Sequence, residues 1–138
     1  DYAHHPTEIE NTLKAAKSLC SGKLIVIFEP HRYSRIIDLY DEFINSFANS
    51  DILFVTEIYA AGEKFIEDIN KEKIVKSISE IGHENVNIFK DENNMENELL
   101  NISKDNDFII FLGAGAITKK ARSLKKNMLK LIGKNKKI

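Results

Sequence analysis

Four short apolar runs, at residues 24–28, 52–56, 86–89 and 108–112, alternate with longer stretches whose apolar residues recur at helical spacing. Each run is too short for a buried helix and is bounded by turn residues, so it reads as a strand. Strand and helix taken in turn along the chain require crossover connections, which give a mostly parallel sheet with helices packed on both faces. The fold class predicted from this order alone is α/β. At 138 residues, 43% of them hydrophobic, the chain has the size of one compact domain with its own core.

The helical stretches carry their own start and stop signals. The first has Pro6 where a missing N–H costs nothing, Glu8 and Glu10 in the opening turn, and Ile9, Leu13, Ala16 and Cys20 on one face, with Gly22 as its stop. The lone Cys20 reads as a buried structural thiol. The second places Ile36, Leu39, Tyr40, Phe43, Ile44 and Phe47 in one broad stripe, which predicts the strongest helix of the chain. Others are predicted over 71–81 and 95–102, and a last one uses Ile117, Ala121, Leu124, Met128 and Leu131. The many lysines on its outer side, without aromatic residues to stack bases, read as a solvated face.

A formal net charge of −1 provides no overall field for nucleic acid or an anionic membrane. No apolar run approaches the about 20 residues of a membrane span, and no signal-peptide pattern is present. A cytoplasmic setting is therefore expected, with neither nucleic acid nor membrane as partner. The absence of an initiator methionine, and a start inside what reads as a motif, suggest a piece of a longer polypeptide.

In an open α/β sheet, ligands bind where the strand-to-helix loops gather, at the carboxyl ends of the strands. Four such loops hold most of the chemically suggestive residues. The first, Asp1-Tyr2-Ala3-His4-His5-Pro6, sets a carboxylate, a phenol and two imidazoles at a helix start, where backbone N–H groups favour anions. Asp1 and His5 acting simply as helix caps is an equal reading. Zinc is disfavoured, because adjacent histidines seldom converge on one metal and no cysteine pair accompanies them. The second, Pro30-His31-Arg32-Tyr33-Ser34-Arg35, spaces Arg32 and Arg35 three apart at a helix start, where the dipole opposes cations. A bound carboxylate or phosphate would compensate them, as would a structural ion pair to Glu29, Asp38 or Asp41. The third, Tyr59-Ala60-Ala61-Gly62-Glu63, reads as an exposed loop of open role. The fourth, Gly113-Ala114-Gly115, has the outline of a dinucleotide fingerprint but carries Thr118 at the third glycine position and ends the domain rather than beginning it. It reads as a tight turn that allows close approach.

Taken together, DYAHHPTEI at Asp1–Ile9, PHRYSR at Pro30–Arg35, IYAAGE at Ile58–Glu63 and GAGAI at Gly113–Ile117 resemble the C-terminal domain of the Mur ligases over essentially the whole chain. The double histidine followed by PHRYSR is most similar to the branch that adds L-alanine to UDP-N-acetylmuramate. This resemblance implies a Rossmann-like, three-layer domain spanning 1–138 that closes over a central ATPase domain, with an N-terminal domain holding the UDP-sugar. It implies an ATP- and Mg2+-dependent amide-forming ligase of peptidoglycan synthesis that works through an acyl phosphate. Tyr2, His4, Arg32, Arg35 and His31 would then line the alanine and acyl-phosphate side of the cleft, and Asp1 would contact ATP. Ala116 stands where the family often has an acid. With no GxxxxGK[ST] loop in the sequence, the chain alone is expected not to turn over ATP. A murein peptide ligase domain and a stand-alone anion- or nucleotide-binding module are the alternatives.

Overall fold

A computed structural model describes the backbone of residues 3–136 and the side chains of residues 3–130. Helices α1 (Pro6–Leu19), α2 (Tyr33–Asp38), α3 (Tyr40–Ile44), α4 (Lys71–Glu80), α5 (Met95–Ile102) and α6 (Ile117–Lys136) alternate with strands β1 (Leu24–Phe28), β2 (Ile52–Val55), β3 (Val86–Asn87) and β4 (Phe108–Leu112). The strands form one wholly parallel sheet in the order β3-β2-β1-β4. Because β1 is central, each of its five residues is buried, and the unbroken apolar run LIVIF follows from that position.

Alternate residues of the strands feed two cores. On one face Leu24, Val26 and Phe28 pack with Ile9 and Leu13 of α1, Ile36 and Phe43 of the second helical stretch, and Ile74 and Ile78 of α4. On the other, Ile25 and Ile27 pack with Phe54, Phe89, Leu99, Ile117 and Leu124. This is the three-layer α/β arrangement expected from the alternation. Leu131, the last residue of the predicted α6 stripe, has its side chain outside the described residues.

Four local expectations are corrected. The strong second helix is two short ones: at Leu39 the backbone leaves the helical region (φ −121, ψ 28) before α3 begins. Tyr40 and Leu39 still reach the core, and the Tyr40 hydroxyl lies 2.6 Å from Ser77 Oγ on α4, so tertiary contacts are met by bending a stripe whose spacing fits either form. The third strand pairs only at Val86 and Asn87; Phe89 is nonetheless buried, stacked on Phe54 at 4.3 Å, because packing holds it after the ladder has ended. Cys20 lies beyond α1 as its C-cap and is half-buried, with its thiol near the carbonyl oxygens of Lys23 and Asn106.

Gly22, finally, is not the stop of α1. Its N–H donates to Asn106 O at 3.0 Å, and a Cβ there would lie 2.6 Å from that same oxygen and 2.5 Å from Asp107 Oδ1. The glycine exists for close backbone approach beneath β1 and β4. Gly22→Ala is therefore expected to cost about 3 kcal/mol of stability by overpacking against backbone. Urea unfolding measures it, and a loss below about 1 kcal/mol would mean that the approach is not tight.

Candidate functional site

The parallel sheet carries three of the four loops to its carboxyl edge as side-by-side extensions of β1 and β2 and the turn after β4. Past the strand ends, the Thr56 N–H donates to Phe28 O (3.0 Å), the Tyr59 N–H to Pro30 O (2.8 Å) and the Arg32 N–H to Tyr59 O (2.9 Å). His31 and Tyr59 form a parallel bridge, and their rings stack at 5.5 Å with 15° between planes. The His4 ring, from the first loop, meets His31 edge-on at 5.9 Å. The fourth loop joins through Gly115, whose N–H donates to Glu29 Oε1 at 3.0 Å and whose missing Cβ would lie 2.8 Å from the Tyr59 ring. All four loops thus meet at one rim.

Arg32 holds a backbone conformation that L residues rarely adopt (φ 67, ψ 128). It is fixed there on both sides, by its own N–H on Tyr59 and by the Ile36 N–H on its carbonyl oxygen at 3.2 Å. Strain of this kind costs of order 1–3 kcal/mol and persists where surroundings over-determine it. Because α2 has only six residues, Arg35 falls in its last turn, and the dipole argument made from the sequence applies to Arg32 alone.

Burial holds the His31 imidazole below its ordinary pKa, and the neighbouring Arg35, His4 and Arg32 push it the same way, with Glu63 opposing. Four ionisable side chains therefore act on one imidazole. His31 Nδ1 and Arg35 Nη1 are buried without a hydrogen-bond partner among the described residues. Unmatched buried polar groups cost roughly 1–3 kcal/mol each, more when charged, and a carboxylate or phosphate oxygen satisfies a guanidinium best.

The competing structural reading of the arginines is not supported. Among the described residues neither Arg32 nor Arg35 forms an ion pair with Glu29, Asp38 or Asp41. Glu63 is committed to Ser34, accepting from its N–H at 3.1 Å and from its hydroxyl. Those two bonds lower the Glu63 pKa. His5 does cap α1, its Nδ1 accepting from the Thr7 N–H at 3.2 Å. Asp1 and Tyr2 lie outside the described residues. His83 sits at the opposite, amino edge of the sheet, bonded to Ser50 at 2.8 Å.

Two members of the rim escaped the sequence reading. The sequence leaves the role of Tyr59 open, although an aromatic residue just past a parallel strand is a signal of a wall. It offers Glu29 only as an acid near the arginines; a single acid ending an all-apolar central strand is the signal that marks it as serving the neighbouring turn.

The family profile described as "Mur ligase, glutamate ligase domain" matches residues 1–115. The chain belongs to this family. It is 48% identical over 117 residues to the UDP-N-acetylmuramate–L-alanine ligase of Geotalea uraniireducens, an alignment covering 85% of this chain and 26% of that protein. Among solved structures, UDP-N-acetylmuramate-alanine ligase from Thermotoga maritima superposes with a TM-score of 0.69 at 28% identity, covering 94% of this chain and 26% of that one. A murein peptide ligase from Psychrobacter arcticus superposes with a TM-score of 0.71 at 19% identity, covering 91% and 26%, which shows a shared fold. The chain spans about a quarter of the length of these Mur ligase relatives. Among the described residues no helix is long and apolar enough to cross a membrane.

Proposed function

We propose that this chain is the C-terminal domain of an ATP-dependent ligase that joins L-alanine to UDP-N-acetylmuramate, with the central ATPase and N-terminal UDP-sugar domains supplied by the rest of the same polypeptide. The carrying observation is the single rim at which His4, His31, Arg32 and Arg35 are brought together, with a guanidinium nitrogen buried and unmatched among the described residues. The 48% identity to an alanine ligase supports the alanine branch over the murein peptide branch, whose likeness is one of fold.

In that reaction the muramyl carboxylate attacks the γ-phosphorus of ATP, the bond to ADP breaks, and an acyl phosphate forms. The alanine amine then attacks the acyl carbon, and inorganic phosphate leaves with the amide formed and a proton released. Arg32 and Arg35 would hold the alanine carboxylate and offset charge on the acyl phosphate, so that this domain contributes positioning and electrostatics. His31, whose charged form is disfavoured by burial and by the neighbouring arginines, would add a hydrogen bond to this wall. His4 and Tyr2 would complete this wall, and Asp1 would contact ATP. A rim of guanidinium and imidazole groups does not suit Mg2+, and among the described residues no group of three or more His, Cys, Asp or Glu converges as ligands. The metal belongs with carboxylates and phosphates elsewhere in the intact enzyme.

The full-length protein, given ATP, L-alanine and UDP-N-acetylmuramate, is expected to release phosphate only when all three are present. Release that needs a murein tripeptide in place of L-alanine would move the assignment to the murein peptide branch. No release with either would end the ligase reading and leave a binding module.

A further inference from the structure

The turn between β4 and α6 has the form in which other α/β proteins seat a phosphate: a strand, closely spaced glycines, and the N-terminus of a 20-residue helix. Here a side chain of the same domain already occupies that position. Glu29, the first residue after β1, is buried, and its Oε1 accepts the Gly115 N–H at 3.0 Å. The fit is close on every side. A Cβ on Gly115 would lie 2.7 Å from Glu29 Oε1 and 2.8 Å from the Tyr59 ring, and one on Gly113 would lie 3.0 Å from Glu29 Cβ.

We infer that Glu29 is a positioning residue for the rim: its carboxylate substitutes for a ligand anion at the start of α6, locks the Gly113–Ile117 turn against Tyr59, and through the Tyr59–His31 stack fixes the wall beside Arg32 and Arg35. The inference rests on the ligase reading given above.

Three observations support it. Glu29 lies between the two segments that must be registered: its own N–H donates to Leu112 O at 2.9 Å, at the end of β4, while its carboxylate reaches across to the turn that follows. Tyr59 is in contact with both parts of the rim, its ring stacked on His31 and lying so close to Gly115 that a Cβ there would be 2.8 Å away, and its carbonyl oxygen fixes the strained Arg32 backbone. Displacing the turn would therefore move Tyr59, and with it His31 and Arg32. Burial pushes the Glu29 pKa upward, against the opposing effect of the Gly115 and Ile117 amides and of Lys120, with Glu92 adding to the rise. A carboxylate kept in so costly a place with no ion pair among the described residues is held for its acceptor geometry, since an apolar residue of similar size would leave the part-buried Gly115 amide unmatched.

The consequence for specificity is that the helix N-terminus is closed to phosphate, and the reactant anions are left to the arginines. Loss of Glu29 should then weaken capture of the amino acid rather than abolish the chemistry, because uniform binding is lost.

The test uses the full-length enzyme with Glu29→Ala, Glu29→Gln and Gly115→Ala, following phosphate release against L-alanine concentration with thermal unfolding measured alongside. Glu29→Ala is expected to raise KM for L-alanine roughly tenfold with a smaller change in kcat. Glu29→Gln, which keeps an acceptor oxygen, should restore KM to within about threefold. Gly115→Ala, which drives a methyl group between Glu29 and Tyr59, should reproduce the KM increase, and it decides the question if Glu29→Ala does not fold. An active wild-type enzyme in which the folded variants keep the wild-type KM would overturn this inference alone. Variants that lose only thermal stability would overturn it too, reducing Glu29 to a structural acid. A wild-type enzyme inactive with all three substrates would overturn both this inference and the ligase reading.

Discussion

Arg35→Met is expected, if the full-length protein is the ligase proposed above, to lower its kcat/KM by roughly a hundredfold to a thousandfold while leaving the fold at least as stable as wild type, from charge-assisted hydrogen bonds worth about 1.5–3 kcal/mol each. The two effects share one cause. Arg35 is half-buried, its Nη1 has no partner among the described residues, and no acid forms an ion pair with it there. In the unliganded domain that donor is a cost, so an unbranched apolar side chain that preserves the packed stem should remove the cost without opening a cavity. With a carboxylate or acyl phosphate at the rim, as the proposed function requires, the same donor would become part of a fork that methionine cannot supply. Arg35→Lys, which keeps the charge but loses the planar pair of donors, should fall between, roughly tenfold below wild type. Phosphate release and calorimetric unfolding on the same preparations check the pair of outcomes. A methionine variant with wild-type kinetics would remove Arg35 from the site, and one that unfolds readily would make it a structural residue.

What the sequence conveyed here, and what it withheld, divides along a physical line. Strand β1 was legible to the residue because a central parallel strand covered by helices on both faces must be apolar throughout, as LIVIF is; β4 was legible from the run FIIFL between turn residues, although at the sheet edge Phe108 is exposed and Ile109 and Ile110 are half-buried. The bend at Leu39 was not legible, since a stripe of Ile36, Leu39, Tyr40 and Phe43 has the same spacing whether the helix is straight or broken, and contacts distant in sequence, such as those of the Tyr40 hydroxyl with Ser77 and Lys73, accompany the broken form. The rim was legible as a set of loops, because strand direction sends the segment with His31, Arg32 and Arg35 to the carboxyl edge, and the helix that leads back into the start of β1 begins beside it just after His4. Its registration was hidden. The His31–Tyr59 bridge lies past the last recognisable strand residues, and the bond from Gly115 to Glu29 joins positions 86 apart in the chain, so nothing local announces either. Gly22 shows the same limit: a glycine near a helix end suggests a cap, whereas its reason here is the distant backbone of Asn106.

Phe28→Ala should give the converse of the arginine result, a large loss of stability with binding intact in the molecules that remain folded. Phe28 is 1% exposed, its backbone lies between Val55 of β2 and Leu112 of β4, and its ring packs on Phe43 at 5.8 Å and Phe47 at 5.0 Å. Truncating a phenylalanine in such a place costs about 3–5 kcal/mol, with the paired rings placing it toward the upper end. Set against a total of roughly 5–15 kcal/mol for a domain, the urea midpoint should fall by a third or more. The rim, however, is attached through main-chain bonds that truncation leaves in place, from the Glu29 N–H to Leu112 O and from the Thr56 N–H to Phe28 O. At low temperature, where the folded fraction is retained, KM for L-alanine should therefore stay within about twofold of wild type. Phe28→Leu, which fills most of the space, should lose only about 1–1.5 kcal/mol. If alanine at this position costs less than about 1 kcal/mol, the packing of α3 and its following turn on β1 is not what holds the sheet. If instead the folded fraction shows a raised KM, then the core under β1 sets the rim by side-chain packing, and the main-chain extensions are insufficient to hold it.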